Sequence, residues 1–355
     1  MNKIGIIGCG RMAEKHIETI QQLDDITIIA LSDISTDRMG HVHNLISSNA
    51  AAISMHTNYE EMLKLDSIDI ILITTTSGLH AEIAEKALRA RKHVIVEKPL
   101  TLSLEEARKL TALANQVGRH LFVCYQLRYR KLMLKIKELI DSELLGTVHY
   151  GIVTMAINRS QAYFDQASWR GTWEHDGGML INQGIHFVDL LVWYLGDLEN
   201  IYGEITRVNN QKQTEDIALG LLTFKNGAKG LIEANIITLP ENFGYSIRLF
   251  AEKGTIIISG KQLDQIERFE ISGQTYSDQE LDDLKNDRME HLTMYQEIIT
   301  KIKGNEQGFP VDGQESEKAL EAIFALYASV LQKKKVSLPL SSFSSGLMKQ
   351  WNNES

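Results

Sequence analysis

A chain of 355 residues exceeds what one ordinary hydrophobic core organises, so two domains are expected. Its 43% hydrophobic and 23% charged residues are those of a soluble globular enzyme, and four prolines argue against disordered linkers. The net charge of −9 disfavours nucleic acid and anionic membrane as partners, since both call for basic surface. Cys9 and Cys124 have neither metal spacing nor the density of a disulfide framework. The apolar run 4–7 is too short for a signal peptide and no stretch has the length of a membrane span, so a cytoplasmic location is expected.

Residues 3–7 read as a strand, followed at once by Gly8-Cys9-Gly10-Arg11-Met12-Ala13 and a helical pattern to Ile20. This is G-x-G-x-x-A between a strand and a helix, the context that a dinucleotide-binding turn requires. Gly8 permits the turn, Gly10 lets backbone approach a pyrophosphate, and Ala13 lets helix and strand pack closely. The free N–H groups around Arg11 and Met12, with the helix dipole, would hold the anion. A second strand, 26–31, leads to Asp33, which follows Ala13 by 20 residues. A carboxylate there accepts from both adenosine ribose hydroxyls and repels a 2′-phosphate, so NAD is expected over NADP. The alternative is that Asp33 only caps the next helix.

Helix and strand then alternate: helix 37–46, a weak strand 52–54, helix 59–65, buried strand 69–74, helix 79–90, strand 93–96, a helix opened by Ser103 with Glu106 at its capping-box position, and strand 121–125. The alternation predicts a doubly wound parallel sheet over 1–125. Thr74 and Thr75 leave their strand at the ligand edge and are candidates to line the nicotinamide ribose. His80, on the next helix, is of a kind that more often packs or caps. Strand 93–96 runs into Glu97-Lys98-Pro99. Pro99 cannot donate to a ladder and biases Lys98 to extended backbone, so Lys98 stands at the carboxyl end of a strand, where ligands bind.

G-x-G-x-x-A, the run T-T-T-S-G-L-H from Thr74 to His80, and Glu97-Lys98-Pro99 together resemble the glucose–fructose oxidoreductase/inositol dehydrogenase/MocA family. Its members are NAD(P)-dependent sugar and cyclitol dehydrogenases or reductases. The resemblance implies that Lys98 touches both the nicotinamide ribose and the reacting substrate oxygen, with His80 and Glu97 among the cofactor contacts.

Residues 126–340 are expected to form an α+β domain for substrate binding and oligomerisation, with 341–355 an unassigned polar tail. Gln126-Leu127-Arg128-Tyr129 leads into a helix ending near Glu143, and 148–157 alternates like a strand. The loop that follows carries Tyr163, Trp169, Arg170 and Trp173. Flat rings stack on sugar faces and guanidinium binds oxyanions, although a loop tucked into the core would read the same way. The stretch from Asp176 to Asp189 resembles the family's glycine-rich helix, G-G-x-L-x-D-x-G-x-H-x-x-D. Asn182 and His186 are four apart, which a helix places on one face, and Gly184 is expected to keep that face open. Many family members carry aspartate where this chain has Asn182, which can orient the ring but brings no charge. Asp189 either supplies the missing carboxylate or caps a packing contact. Asn-Gln-Gly-Ile-His and Gln-Leu-Arg-Tyr look more like the nucleotide-sugar branch, which includes the UDP-N-acetylglucosamine and UDP-N-acetylglucosaminuronate 3-dehydrogenases.

Strand-like runs follow at 201–208, 216–224, 229–237, 245–251, 255–259 and 266–271, with Asn226-Gly227 as a hairpin signal. They predict a large, mostly antiparallel open sheet, one face of which suits a homodimer or homotetramer. Amphipathic helices are expected at 289–303 and 314–331, the latter returning to the first domain.

The expected reaction moves a hydride between a ring secondary alcohol of a sugar or nucleotide sugar and nicotinamide. His186 is the candidate acid/base and Lys98 stabilises the alkoxide, with Asn182 and Asp189 in support. Arg128, Tyr163, Trp169, Arg170 and Trp173 are candidates to hold substrate beside Lys98, Asn182 and His186, and no metal is called for. Inositol or a free sugar is the alternative substrate. A sensor of NAD(H) or sugar without turnover is the alternative of another class, and Lys98 and His186 speak against it. An aldehyde dehydrogenase would want a nucleophilic cysteine, whereas Cys9 lies in the phosphate turn and Cys124 in a strand.

Overall fold

The computed structural model describes residues 1–46, 53–305 and 310–351. The first part runs β1 (Asn2–Ile7), α1 (Arg11–Ile20), β2 (Ile26–Ser32), α2 (Thr36–Asn44), β3 (Ser54–His56), α3 (Tyr59–Leu63), β4 (Ile70–Ile73), α4 (His80–Arg89), β5 (His93–Val96), α5 (Leu104–Val117) and β6 (Leu121–Val123). The weak strand foreseen at 52–54 begins at Ser54, and Ala52 lies outside the described residues. β4 and the last three residues of β5 are buried throughout, the pattern of strands covered on both faces. The six strands are parallel, in the order β3-β2-β1-β4-β5-β6. That order reverses between β1 and β4, and the crevice beyond their carboxyl ends is where doubly wound sheets take ligands.

The chain continues through α6 (Lys131–Asp141), β7 (Val148–Ala156), α7 (Gln161–Phe164), α8 (Ile185–Leu195), β8 (Leu198–Thr206), β9 (Ile217–Phe224), β10 (Lys229–Asn235), β11 (Gly244–Ala251), β12 (Gly254–Gly260), β13 (Gln265–Ile271), α9 (Asp278–Asn286), α10 (Glu290–Ile302), α11 (Gly313–Gln332) and β14 (Val336–Ser337). An eight-stranded sheet has the order β13-β12-β11-β7-β10-β9-β8-β14, and only its β7–β10 pair is parallel. Asn226-Gly227 turns β9 into β10 as expected, with Gly227 at φ 90°. Burial alternates along β7 to β10, so one face is covered. α8 lies against that face where β7 and β10 carry glycine: a Cβ on Gly151 would come within 2.8 Å of Leu191. On the other face Tyr202, Leu219 and Leu221 are exposed. Helix α9 is absent from the sequence expectation, although Ser277 and Glu280 form a full capping box at its start.

The chain divides into two compact units, 1–126 with 289–317, and 127–288 with 318–355. The expected boundary put 289–317 in the second domain; it belongs with the first. The reason is local to the first unit. α10 packs on α1, Lys303 pairs with Asp25 at 2.9 Å, and the Val123 N–H donates to the Val311 carbonyl at 2.9 Å. So α10 and the start of α11 return, and not helix 314–331 as a whole. Within the expected tail, 345–350 form a 3-10 turn. No helix among the described residues is long and apolar enough to cross a membrane.

Candidate active site

In the first unit, the turn after β1 is shaped for close backbone approach. Gly8 has φ 95°, and a Cβ there would lie 2.8 Å from the backbone of Thr74 and Thr75. A Cβ on Gly10 would meet nothing within 4 Å, and no side chain caps α1, so the first-turn N–H groups of Arg11 and Met12 face a space open to an anion. Ala13 is fully buried against the sheet. Asp33 ties the turn to β2: its Oδ2 accepts the Cys9 N–H at 2.8 Å, while Oδ1 accepts from Ser35 N–H at 2.9 Å and Arg38 Nη2 at 2.6 Å. Burial by itself would raise the Asp33 pKa, but the bonds from Arg38, Ser35 and Cys9 prevail and hold the carboxyl below its ordinary range. These residues fit a dinucleotide: glycine-lined turn, free helix terminus and an ionised acid at the next strand end.

Other expected contacts at this edge face inward. The Thr74 hydroxyl donates to the Gly8 carbonyl at 2.5 Å and closes the turn, while Thr75 stays part-exposed. His80 is buried, with Nδ1 2.7 Å from the Pro99 carbonyl and Nε2 3.2 Å from that of Thr75. Burial depresses its pKa while the Pro99 and Thr75 carbonyls, both acceptors, raise it, so the ring links two loops and when neutral donates to one carbonyl at a time. Glu97 is buried too; Oε1 meets His16 Nε2 at 2.9 Å and Oε2 accepts the Lys98 N–H at 3.2 Å. Lys98 is half-buried at the end of β5. His16, Glu97 and Cys124 bring potential metal ligands within 4.8 Å of one another. His16 and Glu97 are spent on each other, however, and burial raises the Cys124 pKa well above its ordinary value, which keeps it a thiol.

In the second unit, the motif helix is not regular. Leu180–Gly184 is π-helical and passes into α8, so Asn182, Gln183 and His186 sit at a junction of the kind found at functional sites. All three are half-buried amid buried neighbours. Gly184 does not open that face; it is buried, and a Cβ would meet Leu180 at 3.0 Å. The start of the segment is pinned by Glu215, which accepts the Leu180 N–H at 3.0 Å and the Tyr327 hydroxyl at 2.6 Å. The carboxylate beside Asn182 comes from Asp176, whose Oδ1 accepts from the amide and whose Oδ2 accepts the Gly171 N–H at 2.7 Å. It does not come from Asp189. That residue is buried and bonds both oxygens to Arg128, at 2.7 and 2.6 Å, and the guanidinium stacks on Trp193 at 5.0 Å. Arg128 thus spends its Nε and Nη2 on Asp189. Trp173 is also core, packed edge-on against Tyr327.

The remaining loop residues do gather. Arg170 lies over Tyr163 at 4.2 Å and Trp169 at 4.7 Å, Arg159 lies over Tyr163 at 5.1 Å, and Gln183 Nε2 meets the Tyr163 hydroxyl at 3.3 Å. The buried Nε of Arg159, the Nε of Arg170 and the Oε1 of Gln183 have no hydrogen-bond partner. A buried polar group left unbonded costs free energy, so the cluster favours a polar ligand.

Residues 2–125 match the family described as "Oxidoreductase family, NAD-binding Rossmann fold", and 133–257 match the GFO/IDH/MocA C-terminal domain. The chain belongs to the GFO/IDH/MocA oxidoreductases. It resembles the WlbA dehydrogenase of Chromobacterium violaceum in complex with NADH and UDP-GlcNAcA, at 30% identity and a TM-score of 0.88 over 96% of each chain. The WlbA dehydrogenase of Bordetella pertussis, also with NADH and UDP-GlcNAcA, gives 28% identity and 0.87 over 96% of this chain and 98% of that one. Myo-inositol 2-dehydrogenase of Thermotoga maritima is 25% identical over 95% of this chain and 98% of its own.

Sequence reasoning missed Arg38, Asp176, Glu215, His16 and Tyr295. Only Asp176, an acid shortly before a glycine pair, stood within a motif. Arg38 bears on the expected cofactor choice, because it pairs with Asp33. NAD(H) is expected to bind about tenfold or more tighter than NADP(H), about 1.4 kcal/mol. Asp33→Ser, which releases Arg38 toward a 2′-phosphate, should close or reverse that ratio. Fluorescence titration of both cofactors checks this, and equal affinities in the parent protein would remove Asp33 from the ribose.

Proposed function

We propose that the chain oxidises a secondary alcohol of a nucleotide sugar such as UDP-N-acetylglucosamine or its uronate, at C3, or runs the reverse reaction. The observation that carries this reading is the cluster of Arg159, Tyr163, Trp169, Arg170 and Gln183, with its unbonded donors and acceptor. The likeness of the whole chain to two complexes that hold NADH and UDP-GlcNAcA supports the nucleotide-sugar class. On a chain of net charge −9, two guanidinium groups beside stacking rings provide local positive charge for a diphosphate. Held by the Gly8–Ala13 turn and Asp33, NAD would supply the hydride transfer; the proton and the oxygen fall to side chains. His186 takes the hydroxyl proton, imidazole being suited to that task near neutrality. Lys98 stabilises the developing alkoxide. Asn182, held by Asp176, orients the histidine's neighbourhood without adding charge of its own. Inositol or a free sugar is the second reading, favoured by the full-length likeness to myo-inositol 2-dehydrogenase.

Lys98→Ala and His186→Ala should each leave NADH affinity nearly unchanged and lower kcat by about 10²–10⁴. Steady-state assays against a panel of UDP-sugars, free aldoses and inositols read this, and parental turnover in either variant removes that residue's role.

UDP alone should bind the NADH-loaded protein, more weakly as salt rises, and Arg170→Ala should cost about 1.5–3 kcal/mol of that affinity. Calorimetry decides the matter. No binding at about millimolar UDP (about 4 kcal/mol), together with turnover of inositol or a free sugar, would select the second reading.

The exposed face with Tyr202, Leu219 and Leu221, the last 61% exposed, supports assembly into a homodimer or homotetramer through the second unit's sheet. Leu221→Glu should then shift sedimentation toward the monomer. A parent protein that already sediments as a monomer defeats the proposal.

A further inference from the structure

We propose that Tyr295, His16 and Glu97 form a buried hydrogen-bonded relay that positions Lys98, with His16 as the positioning residue at its centre. This rests on the role proposed for Lys98. All four residues belong to the first unit. His16 and Tyr295 are fully buried and Glu97 is 5% exposed. His16 Nδ1 is 2.8 Å from the Tyr295 hydroxyl and Nε2 is 2.9 Å from Glu97 Oε1. The other Glu97 oxygen accepts the Lys98 backbone N–H at 3.2 Å.

Chemistry sets the direction of these bonds. The Glu97 carboxylate offers Nε2 only lone pairs, which calls for the imidazole proton there and leaves Nδ1 to accept from the Tyr295 hydroxyl, whose proton burial holds in place. A carboxylate gripped at one oxygen by imidazole and at the other by a main-chain N–H holds one orientation. That orientation is handed to the backbone of Lys98 where β5 stops.

The groups facing His16 come from three directions. Glu97 follows β5, Cys124 follows β6, and His291 and Tyr295 reach in from α10, with the His291 ring edge-on at 6.0 Å. Burial lowers the His291 pKa to about 4, so it is neutral, and Cys124 remains a thiol. Lys15 and Glu290 add charge that acts on His291. In the GFO/IDH/MocA reading the lysine works by its amine. The relay acts on where that amine stands and on how well the neighbouring carboxylate keeps its charge.

The test needs no substrate. The reactivity of the Lys98 amine toward acetic anhydride is followed by mass spectrometry on the NADH-bound protein, from roughly pH 6 to 11. In His16→Leu, Glu97 loses its donor and holds its charge less well, so the pH of half-modification should fall by about half a unit or more. NADH affinity should stay within about twofold, about 0.4 kcal/mol. His16→Gln, whose amide N–H can replace Nε2–H, should restore the parental value. Tyr295→Phe removes only the far hydroxyl and should give a smaller shift of the same sign, which keeps the test decisive if His16→Leu does not fold. Unchanged Lys98 titration in Tyr295→Phe and in any folded His16→Leu, or a shift that His16→Gln fails to reverse, overturns the relay. Turnover by Lys98→Ala is a separate outcome: it would end the role of Lys98 while the titration still reports on the relay.

Discussion

Buried carboxylates must be bonded, and in this protein that requirement fixes the elements on which the site depends. Glu97, Asp189 and Glu215 are all nearly or fully buried, and each binds a different kind of partner. Glu97 takes imidazole and the N–H of Lys98, Asp189 takes a guanidinium in fork geometry, and Glu215 takes a phenol and the N–H at the start of the π-helical segment. A charge withdrawn from water is tolerable only with such partners, and at Glu215, where both bonds fall on Oε1, burial still pushes the pKa up. Each acid therefore locks the backbone that its partner sits on: the end of β5, the first turn after Gln126, and the entry to α8.

The same economy places several of the residues expected to contact ligand in the interior. Thr74, His80, Arg128 and Trp173 all stand next to ligand-edge or motif backbone, and all turn inward. Three of them spend side-chain polar groups on the protein: Thr74 on Gly8, His80 on Pro99 and Thr75, Arg128 on Asp189. They shape the edge. Of the other expected residues, Lys98 is half-buried in the first unit, and Asn182, His186, Tyr163, Trp169 and Arg170 are half-buried in the second.

Membership of the GFO/IDH/MocA family accounts for the strand order of the first unit and the open sheet of the second. It leaves the substrate to local chemistry. Asparagine at position 182 would remove a charge from the motif, but Asp176 brings a carboxylate back beside it from the preceding loop. The electrostatics around the motif helix thus depend on a residue six positions away in sequence and across a glycine turn.

Local pattern by itself determined the parallel sheet, the phosphate turn, Asp33 at the end of β2, Lys98 at the end of β5 and the hairpin at Asn226-Gly227. These follow from what one or two neighbouring residues permit: a glycine's φ, a proline's missing donor, a run of β-branched side chains. The capping box of α9 was equally legible at Ser277 and Glu280 but lay in a polar stretch with no buried residue to set its period. Only the tertiary structure decided that Asp189 pairs with Arg128, that Asp176 reaches Asn182, that the arginines gather over Tyr163, and that α10 returns to the first unit to set Tyr295 against His16. Those contacts join residues up to 279 positions apart, and which buried donor meets which acceptor is a property of packing that no local window contains.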